Sequence, residues 1–441
     1  MKHVAFYLAN KNIVSVDCRN LLKGNPGIGG TEYLIILAAT QLSKRNNDIQ
    51  VTLFVQKKFL YELNVHTVIV QDLVEAVSLA GNLGMDYLSF MYHPLYHEAD
   101  KLPYLSCAKG LKLLPWCHNF ARFKDLDFFA DNLNVGQIIT VGREQKDIYR
   151  DHRAFNKTSY IYNCVNTECV DKYDVKLHPF KDREHVVTYI GSLTPMKSFH
   201  CLAKAWPKVL KEIPDAELYV IGSGTLYSRN EILGKWGIAE SNYENYFMKY
   251  LTLDGKIMPS VHFMGLMGEE KNGILLKTKV GVPNPIGSAE TFCLSAVEMQ
   301  LMGAKVVACK ACGYMDTFKN CLFAKSKKDL ATSIIQALKS DDSQYEAATA
   351  YIQNNFSQEH FLSDWESLIM KGYINQDNDM VHPYYRMKFL KEKLRKLKDK
   401  HPVLNNIPSI ESFKSYLEKR IIERCIYKFH LRYYNRFDFV N

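Results

Sequence analysis

The chain has 441 residues, 47% of them hydrophobic and 23% charged. That is too long for one ordinary core and too apolar for a disordered chain, so two folded domains of ~150–200 residues each are expected. The formal net charge of +9 is uneven: residues 381–441 carry 15 Lys+Arg against 6 Asp+Glu, and the rest of the chain carries 41 of each. All the net basicity belongs to a C-terminal extension. The start, "MKHVAFYLAN", has no small-residue cleavage site and reads as a strand, not a signal peptide. No run of about 18 apolar residues occurs, so no bilayer-spanning helix is expected. Eleven scattered cysteines, an odd number, fit reduced thiols in a cytoplasmic protein.

In chain order, "HVAFYLA" (3–9) is an apolar run of strand length, followed by a glycine cluster. "TEYLIILAATQLSKR" (31–45) has Leu34, Leu37, Ala38 and Leu42 at helical spacing. "IQVTLFV" (49–55), "LLPWCH" (113–118), "QIITVG" (137–142) and "TSYIYN" (158–163) read as further buried strands. Strands interleaved with helices imply a parallel sheet covered on both faces. The polar stretch 176–185 reads as a linker. A second set follows: strand 186–192, helix 199–212, strand and glycine turn 216–224, and strand 261–267. Gly303 is placed to cap a helix before a strand in "LMGAKVVAC" (301–309), and 354–370 reads as a closing helix. The expected architecture is α/β: a Rossmann-like domain over 1–178, a second over 179–355, a helix over 356–375 returning to the first, and a basic helical extension over 381–441. Two such domains facing each other leave a cleft at the carboxyl ends of both sheets.

Within "GSAETFCLSAVEMQ" (287–300), Glu290 and Glu298 sit eight positions apart among apolar and small residues. A carboxylate resists burial unless paired, hydrogen-bonded or bound. On one continuous helix the two would be ~12 Å apart along the axis and roughly 80° apart around it, so they could not share one atom. If Glu290 lies on a loop and the helix starts near Thr291, its free N–H groups would attract phosphate. A hydroxyl-rich group at each end of a diphosphate fits that arrangement, as in a nucleotide sugar.

The segment "NPIGSAETFCLSAVEMQLMGAKVV" (284–307) resembles the glutamate–seven residues–glutamate signature of retaining glycosyltransferases of family 4, a family with the two-Rossmann GT-B fold. "GIGGTE" (27–32), "TVGREQKDIY…YIYNCVN" (140–166), "YIGSLTPMKSFHCLAKAW" (189–206), "LYVIGSG" (218–224) and "GYMDTF" (313–318) resemble that family's segments in the same order. The resemblance implies roles. Glu290 would bond hydroxyls of the donor sugar and Glu298 the ribose. Lys197 and the amides of Thr291 and Phe292 would contact the diphosphate, and His118 would stand near the sugar. Gly29, Gly30, Ser192 and Gly222 would line the donor loops, and Gly29 and Gly30 would let the first loop approach the phosphates. The chain departs from the family at "GSL" (191–193), where Ser192 stands in place of the usual arginine. Arg122 and Lys277 are the candidates to supply that charge; without one, the enzyme is slow or inactive. Cys312-Gly313 replaces the family's paired glycines.

Other local patterns read as structure. "CKAC" (309–312) has no second pair to complete a zinc site. "DLD" (125–127) and "DND" (377–379) are short enough to be chance, and His93 and His97 lack the glutamate of a zinc hydrolase. In the extension, Met387, Leu390, Leu394 and Leu397 form a short heptad stripe on a helix crowded with Lys and Arg. That pattern fits docking on an anionic membrane face or self-association. No recognition motif points to nucleic acid.

The expectation is a retaining, metal-independent hexosyltransferase. It needs no cofactor and takes a UDP- or GDP-linked sugar as co-substrate. It would act on a glycan or lipid-linked acceptor in surface polysaccharide synthesis, in the cytoplasm or at the inner membrane face. A phosphorylase or epimerase on the same fold, or an inactive partner protein, stands as the alternative.

Overall fold

The computed structural model describes residues 1–11, 16–225, 232–341, 343–372, 374, 387–414, 416, 417 and 420. Seven strands build the first sheet: β1 (Lys2–Leu8), β2 (Ile49–Val55), β3 (His66–Ile69), β4 (Tyr87–Met91), β5 (Lys112–Cys117), β6 (Ile138–Thr140) and β7 (Thr158–Tyr160). They run parallel in the order β3-β2-β1-β4-β5-β6-β7. The second sheet holds β8 (Val186–Ile190) and β9 (Glu217–Ile221). After a short hairpin of β10 (Thr252–Leu253) and β11 (Lys256–Ile257), it adds β12 (Val261–Gly265), β13 (Val280–Gly281), β14 (Lys305–Cys309) and β15 (Cys321–Ala324). Its order is β12-β9-β8-β13-β14-β15, again parallel. In each sheet the strand order reverses beside the first strand, which opens a crevice at the carboxyl ends.

The first strand is buried from Val4 to Leu8 because helices cover both faces of its sheet. One of them, Gly30–Arg45, buries every residue from Tyr33 to Thr40. It packs beside the helix Gln358–Lys371, which returns from the second domain and also lies on this sheet. Trp365 of that returning helix meets Phe6 at 5.2 Å and Trp116 at 4.8 Å, edge on in both cases. Arg45 fixes its outer side through Glu359 at 2.5 Å and Glu366 at 2.8 Å. One buried cluster therefore runs from Phe6 through Trp365 to Phe292, Val297 and Val306 of the second domain.

The stretch 176–185, expected as a plain linker, is knitted into the second domain. Buried Arg183 donates to the carbonyls of Thr278 at 2.7 Å and Met302 at 2.8 Å. Gly303 has φ +92 after the helix Leu294–Leu301, and a side chain there would meet the Arg183 guanidinium at 2.3 Å. The sequence pattern alone does not mark strands β3, β4, β10, β11, β13 and β15. The strand β13 is only two residues long, yet it is central because β8 and β14 pair on either side of it.

In the basic extension, some of the cations face the first domain. On the helix Lys388–Lys400, Lys388, Lys391 and Lys398 are buried, whereas Met387, Leu390 and Leu397 are 47%, 44% and 46% exposed. The lysines go inward because acceptors wait there. Lys388 Nζ is 2.6 Å from Asp147. Lys391 donates to the carbonyl of Ile148 at 3.1 Å and sits 3.2 Å from Glu411. Lys398 donates to the carbonyls of Asp151 and Ile407. Ile148 ends the helix Arg143–Ile148, where carbonyls lack intrahelical partners and a cation is favoured. The segments 381–386 and 421–441 of the extension lie outside the described residues.

Replacing Lys391 with alanine leaves a buried carbonyl and Glu411 without their cation, so stability should fall by about 2–4 kcal/mol. Leu390→Ala, on the exposed side, should change it by less than about 0.5 kcal/mol. Urea denaturation of the two variants checks the contrast; equal losses would reverse the assignment of faces.

Candidate active site in the interdomain cleft

The cleft between the sheets encloses about 520 Å³, within the range of small-ligand sites. Its first wall comes from the end of β4 and the loops after β1, β5 and β7, and its second from the segments after β8, β9, β12 and β13. In the first loop, the Asn25 side chain accepts from the N–H groups of Gly27 and Ile28, both at 2.9 Å, and forms a tight turn. A Cβ on Gly30 would stand 2.9 Å from Leu294 Cδ1 of the other domain, so a glycine here lets the domains close. Gly29 is buried and does not line the cleft. The Glu32 carboxylate covers it, 2.0 Å from where a Cβ would stand.

On the opposite wall, Glu290 is buried and its Oε2 accepts from Lys197 Nζ at 2.8 Å and Asn284 Nδ2 at 3.3 Å. Lys197 ends the turn Pro195–Lys197 after β8. Glu298 also lines the cleft, with Oε1 3.2 Å from Lys271 Nζ. Each glutamate thus has its own lysine. Ser192 lines the same wall, its Oγ 3.4 Å from Thr194 Oγ1. Gly222 has φ +139, and a Cβ there would fall 1.9 Å from the Gly191 carbonyl oxygen, so only glycine fits.

The two glutamates do not share a helix. Cys293 has φ 75, a left-handed value that a right-handed helix cannot contain, and the helix begins at Leu294. The expected start near Thr291 is three residues early. Ala289 is also left-handed, at φ 52, so two non-glycine residues in that region bracket Glu290–Phe292. Each such residue costs on the order of 1–2 kcal/mol and persists because its surroundings demand it. The Gly313 N–H donates to the Glu290 carbonyl at 3.0 Å, and Thr317 Oγ1 to that of Phe292 at 3.0 Å. A Cβ on Gly313 would strike the Phe292 nitrogen at 2.3 Å, which accounts for the glycine in "GYMDTF". Among the described residues, nothing accepts from the backbone N–H groups of Thr291, Phe292 or Cys293. The Phe292 ring is an anchor between Phe356 at 5.0 Å and Tyr162 at 6.1 Å.

Thr291 ties the walls together: its Oγ1 donates to the His118 carbonyl at 2.6 Å. The His118 ring lies 4.6 Å from Trp116, and its Nε2 is buried without a hydrogen-bond partner. Burial pushes this imidazole down to about 3, so it is neutral at physiological pH. Neither proposed substitute for the missing arginine reaches the cleft. Arg122 lies over the Tyr96 ring at 4.3 Å and 3.9 Å from Asp125, and Lys277 is exposed on the far part of its helix. The cation that sequence reasoning missed is Lys271, the first residue of the helix Lys271–Lys277. Nothing local in "GEEKNGILL" marks it.

Other motifs resolve as structure. Asp125 accepts from Tyr92 Oη and the Leu95 N–H, Asp127 pairs with His152 and Arg153, and His97 caps the turn Glu98–Lys101. Cys309 and Cys312 form no disulfide, and the described residues include no cluster that could hold a metal. Residues 377–379 lie outside the described residues.

A seam beside the site also joins the domains. Asp316 of the helix Cys312–Thr317 accepts from the Glu144 N–H at 2.9 Å and from Tyr162 Oη at 3.1 Å. A Cβ on Gly142 would stand 2.7 Å from Asp316 Oδ2 and 3.2 Å from the Thr291 carbonyl, so the seam touches the loop that bears Glu290. Both carboxylate oxygens of buried Glu144 lack hydrogen-bond partners. Burial first, then the neighbouring Asp316 and Asp147, push its carboxyl up to about 7.

Residues 172–357 match the family model of glycosyl transferases group 1. The fold is GT-B. No curated protein matches the chain in sequence. A glycosyltransferase from Rickettsia africae ESF-5 aligns over 84% of this chain and 98% of its own, with TM-score 0.60 and 14% identity. Anabaena HepE in complex with UDP aligns over 84% of this chain and 100% of its own, with TM-score 0.58 and 15% identity. AviGT4, a glycosyltransferase involved in avilamycin A biosynthesis, aligns over 84% and 98%, with TM-score 0.53 and 11% identity. The GT-B cleft between the two sheets is the one described above.

A carboxyl whose pKa is raised by folding favours the folded state below its unfolded pKa near 4.5, and this advantage is lost as pH rises through about 7. Glu144→Gln should therefore leave stability nearly unchanged at pH 4.5 and raise it by about 2–3 kcal/mol at pH 8. Thermal denaturation of both proteins across that window checks the sign.

Proposed function

We propose that the chain is a retaining glycosyltransferase of the family 4 type, transferring a sugar from a nucleotide-diphosphate donor without a metal ion. The observation that carries this reading is the arrangement of Glu290–Lys197 and Glu298–Lys271 in one cleft, around a loop with free N–H groups. A diphosphate placed between the lysines would meet cations at both flanks and the amides of Thr291 and Phe292. Lys197 would shift from Glu290 to phosphate, freeing that carboxylate for sugar hydroxyls. Lys271 would shift likewise, leaving Glu298 for the ribose. Lys271 supplies charge in a cleft where Ser192 cannot.

In the reaction, the bond from the anomeric carbon to the phosphate oxygen breaks and the electron pair leaves with the nucleotide diphosphate. Negative charge grows where the two lysines and the amides stand, the condition for electrostatic catalysis. The acceptor hydroxyl attacks the same face, and its proton goes to the departing phosphate. No covalent nucleophile is assigned. Neutral His118, beside Thr291, shapes the sugar end of the cleft and is assigned no proton transfer.

HepE has been crystallised with UDP and with UDP-glucose, which supports a uridine nucleotide as the first donor to try. The acceptor we propose is a glycan or lipid-linked glycan of a surface polysaccharide, met at the cytoplasmic membrane face. Among the described residues, no helix is long and apolar enough to cross a membrane.

Two measurements test the reading. A thermal-shift screen of UDP-, GDP- and ADP-sugars should yield a stabilising donor, worth ~2.7 kcal/mol at 100 times its Kd. The absence of any binder would favour the inactive-partner alternative, and phosphate-dependent turnover without nucleotide sugar would favour a phosphorylase. Glu298→Gln should weaken nucleotide binding roughly 10-fold, about 1.4 kcal/mol. Glu290→Gln should instead cut turnover by about 100-fold with little change in affinity for the free nucleotide. Unchanged kinetics in both variants would place the site elsewhere.

A further inference from the structure

The helix Lys388–Lys400 turns its usual amphipathic pattern around. Lys388, Lys391, Arg395 and Lys398, spaced three, four and three apart, form the stripe that meets the first domain. The opposite side presents Phe389 at 60% exposure with Leu390 and Leu397, and exposed Lys393, Lys396 and Lys400 are interspersed among them. The acids of the region are engaged inward or along the helix. Glu392 bonds Arg150 and Arg395, Glu411 pairs with Lys391, and Asp399 bonds Arg395 at 2.8 Å. Past the helix, Val403 and Ile407 are exposed as well.

We infer that this outward face docks on an anionic lipid bilayer. Phe389, Leu390 and Leu397 enter the boundary between headgroups and acyl chains, and Lys393, Lys396 and Lys400 stand against lipid phosphates. Charge decides between this occupant and a second copy of the chain. Pairing two such faces would bring six of these lysines together, with only the Asp399 carboxylates to answer them. An anionic headgroup layer neutralises the same cations and accepts the apolar side chains. The buried lysines serve a separate purpose, since they fasten the helix to the domain and hold its lipid face outward. The inference rests on this surface alone and stands or falls apart from the transferase reading.

The test is sedimentation of the full chain with vesicles of phosphatidylcholine, with and without phosphatidylglycerol. Binding should require phosphatidylglycerol and weaken in high salt. The combined change Lys393→Glu, Lys396→Glu and Lys400→Glu should lower partitioning by roughly 100-fold. The combined change Phe389→Ser, Leu390→Ser and Leu397→Ser should abolish it, and nucleotide thermal shifts should stay unaltered in both variants because none of the six lines the cleft. Equal binding to pure phosphatidylcholine, no binding to either vesicle, or wild-type binding by both variants would overturn the proposal. So would a dimer in analytical ultracentrifugation that the serine variant dissociates, since that assigns the face to a second copy.

Discussion

The loop from Asn284 to Leu294 is the constraint on which the rest of the site depends. It carries Glu290 between two left-handed residues that are not glycine, Ala289 and Cys293. Such a backbone holds only where other contacts outweigh its cost. Here Asn284 reaches the Ser288 carbonyl and Glu290, Tyr314 Oη reaches the Asn284 carbonyl at 2.6 Å, and Gly313 and Thr317 hold the carbonyls of Glu290 and Phe292. The contorted path keeps three N–H groups out of the helical ladder while the Phe292 ring anchors the segment in the shared core.

The same loop is where the domains meet. Thr291 bonds the His118 carbonyl, Leu294 rests against Gly30, and Gly142 packs against Thr291 and Asp316. The relative position of the two sheets therefore shapes the cleft directly. The returning helix, with Trp365 on the first sheet, and the buried cluster that crosses between the domains resist separation. Glu144, buried at the seam without a partner for its carboxylate, is a cost the fold carries there.

Charge is distributed by function. The cleft pairs Glu290 and Glu298 each with a lysine, so these two carboxylates are balanced until a ligand reorganises them. The extension concentrates cations, but four of them are consumed in fastening the helix to the first domain. Burying lysines is tolerable because helix-end carbonyls and carboxylates are ready to receive them.

Several features were legible in the sequence itself. The fold class follows from buried runs of strand length alternating with helical spacing, since a fully covered parallel strand is made mostly of apolar residues. The glycines at 30, 222 and 313 could be noticed as a pattern, because close approach of backbones leaves no room for a Cβ. Local sequence could not show that Gly29 turns away behind Glu32, that β13 is central despite two residues, or that Lys271 and not Arg122 or Lys277 reaches the cleft. Nor could it show that the lysines of the extension turn inward, because its apolar heptad marks one face without saying what meets the other. Hydrophobic spacing reports which face of a helix differs from the other, and the neighbour it meets decides which face goes in. In this chain the neighbour was a helix end rich in carbonyls and carboxylates, and only tertiary structure could bring that set of acceptors to the lysines.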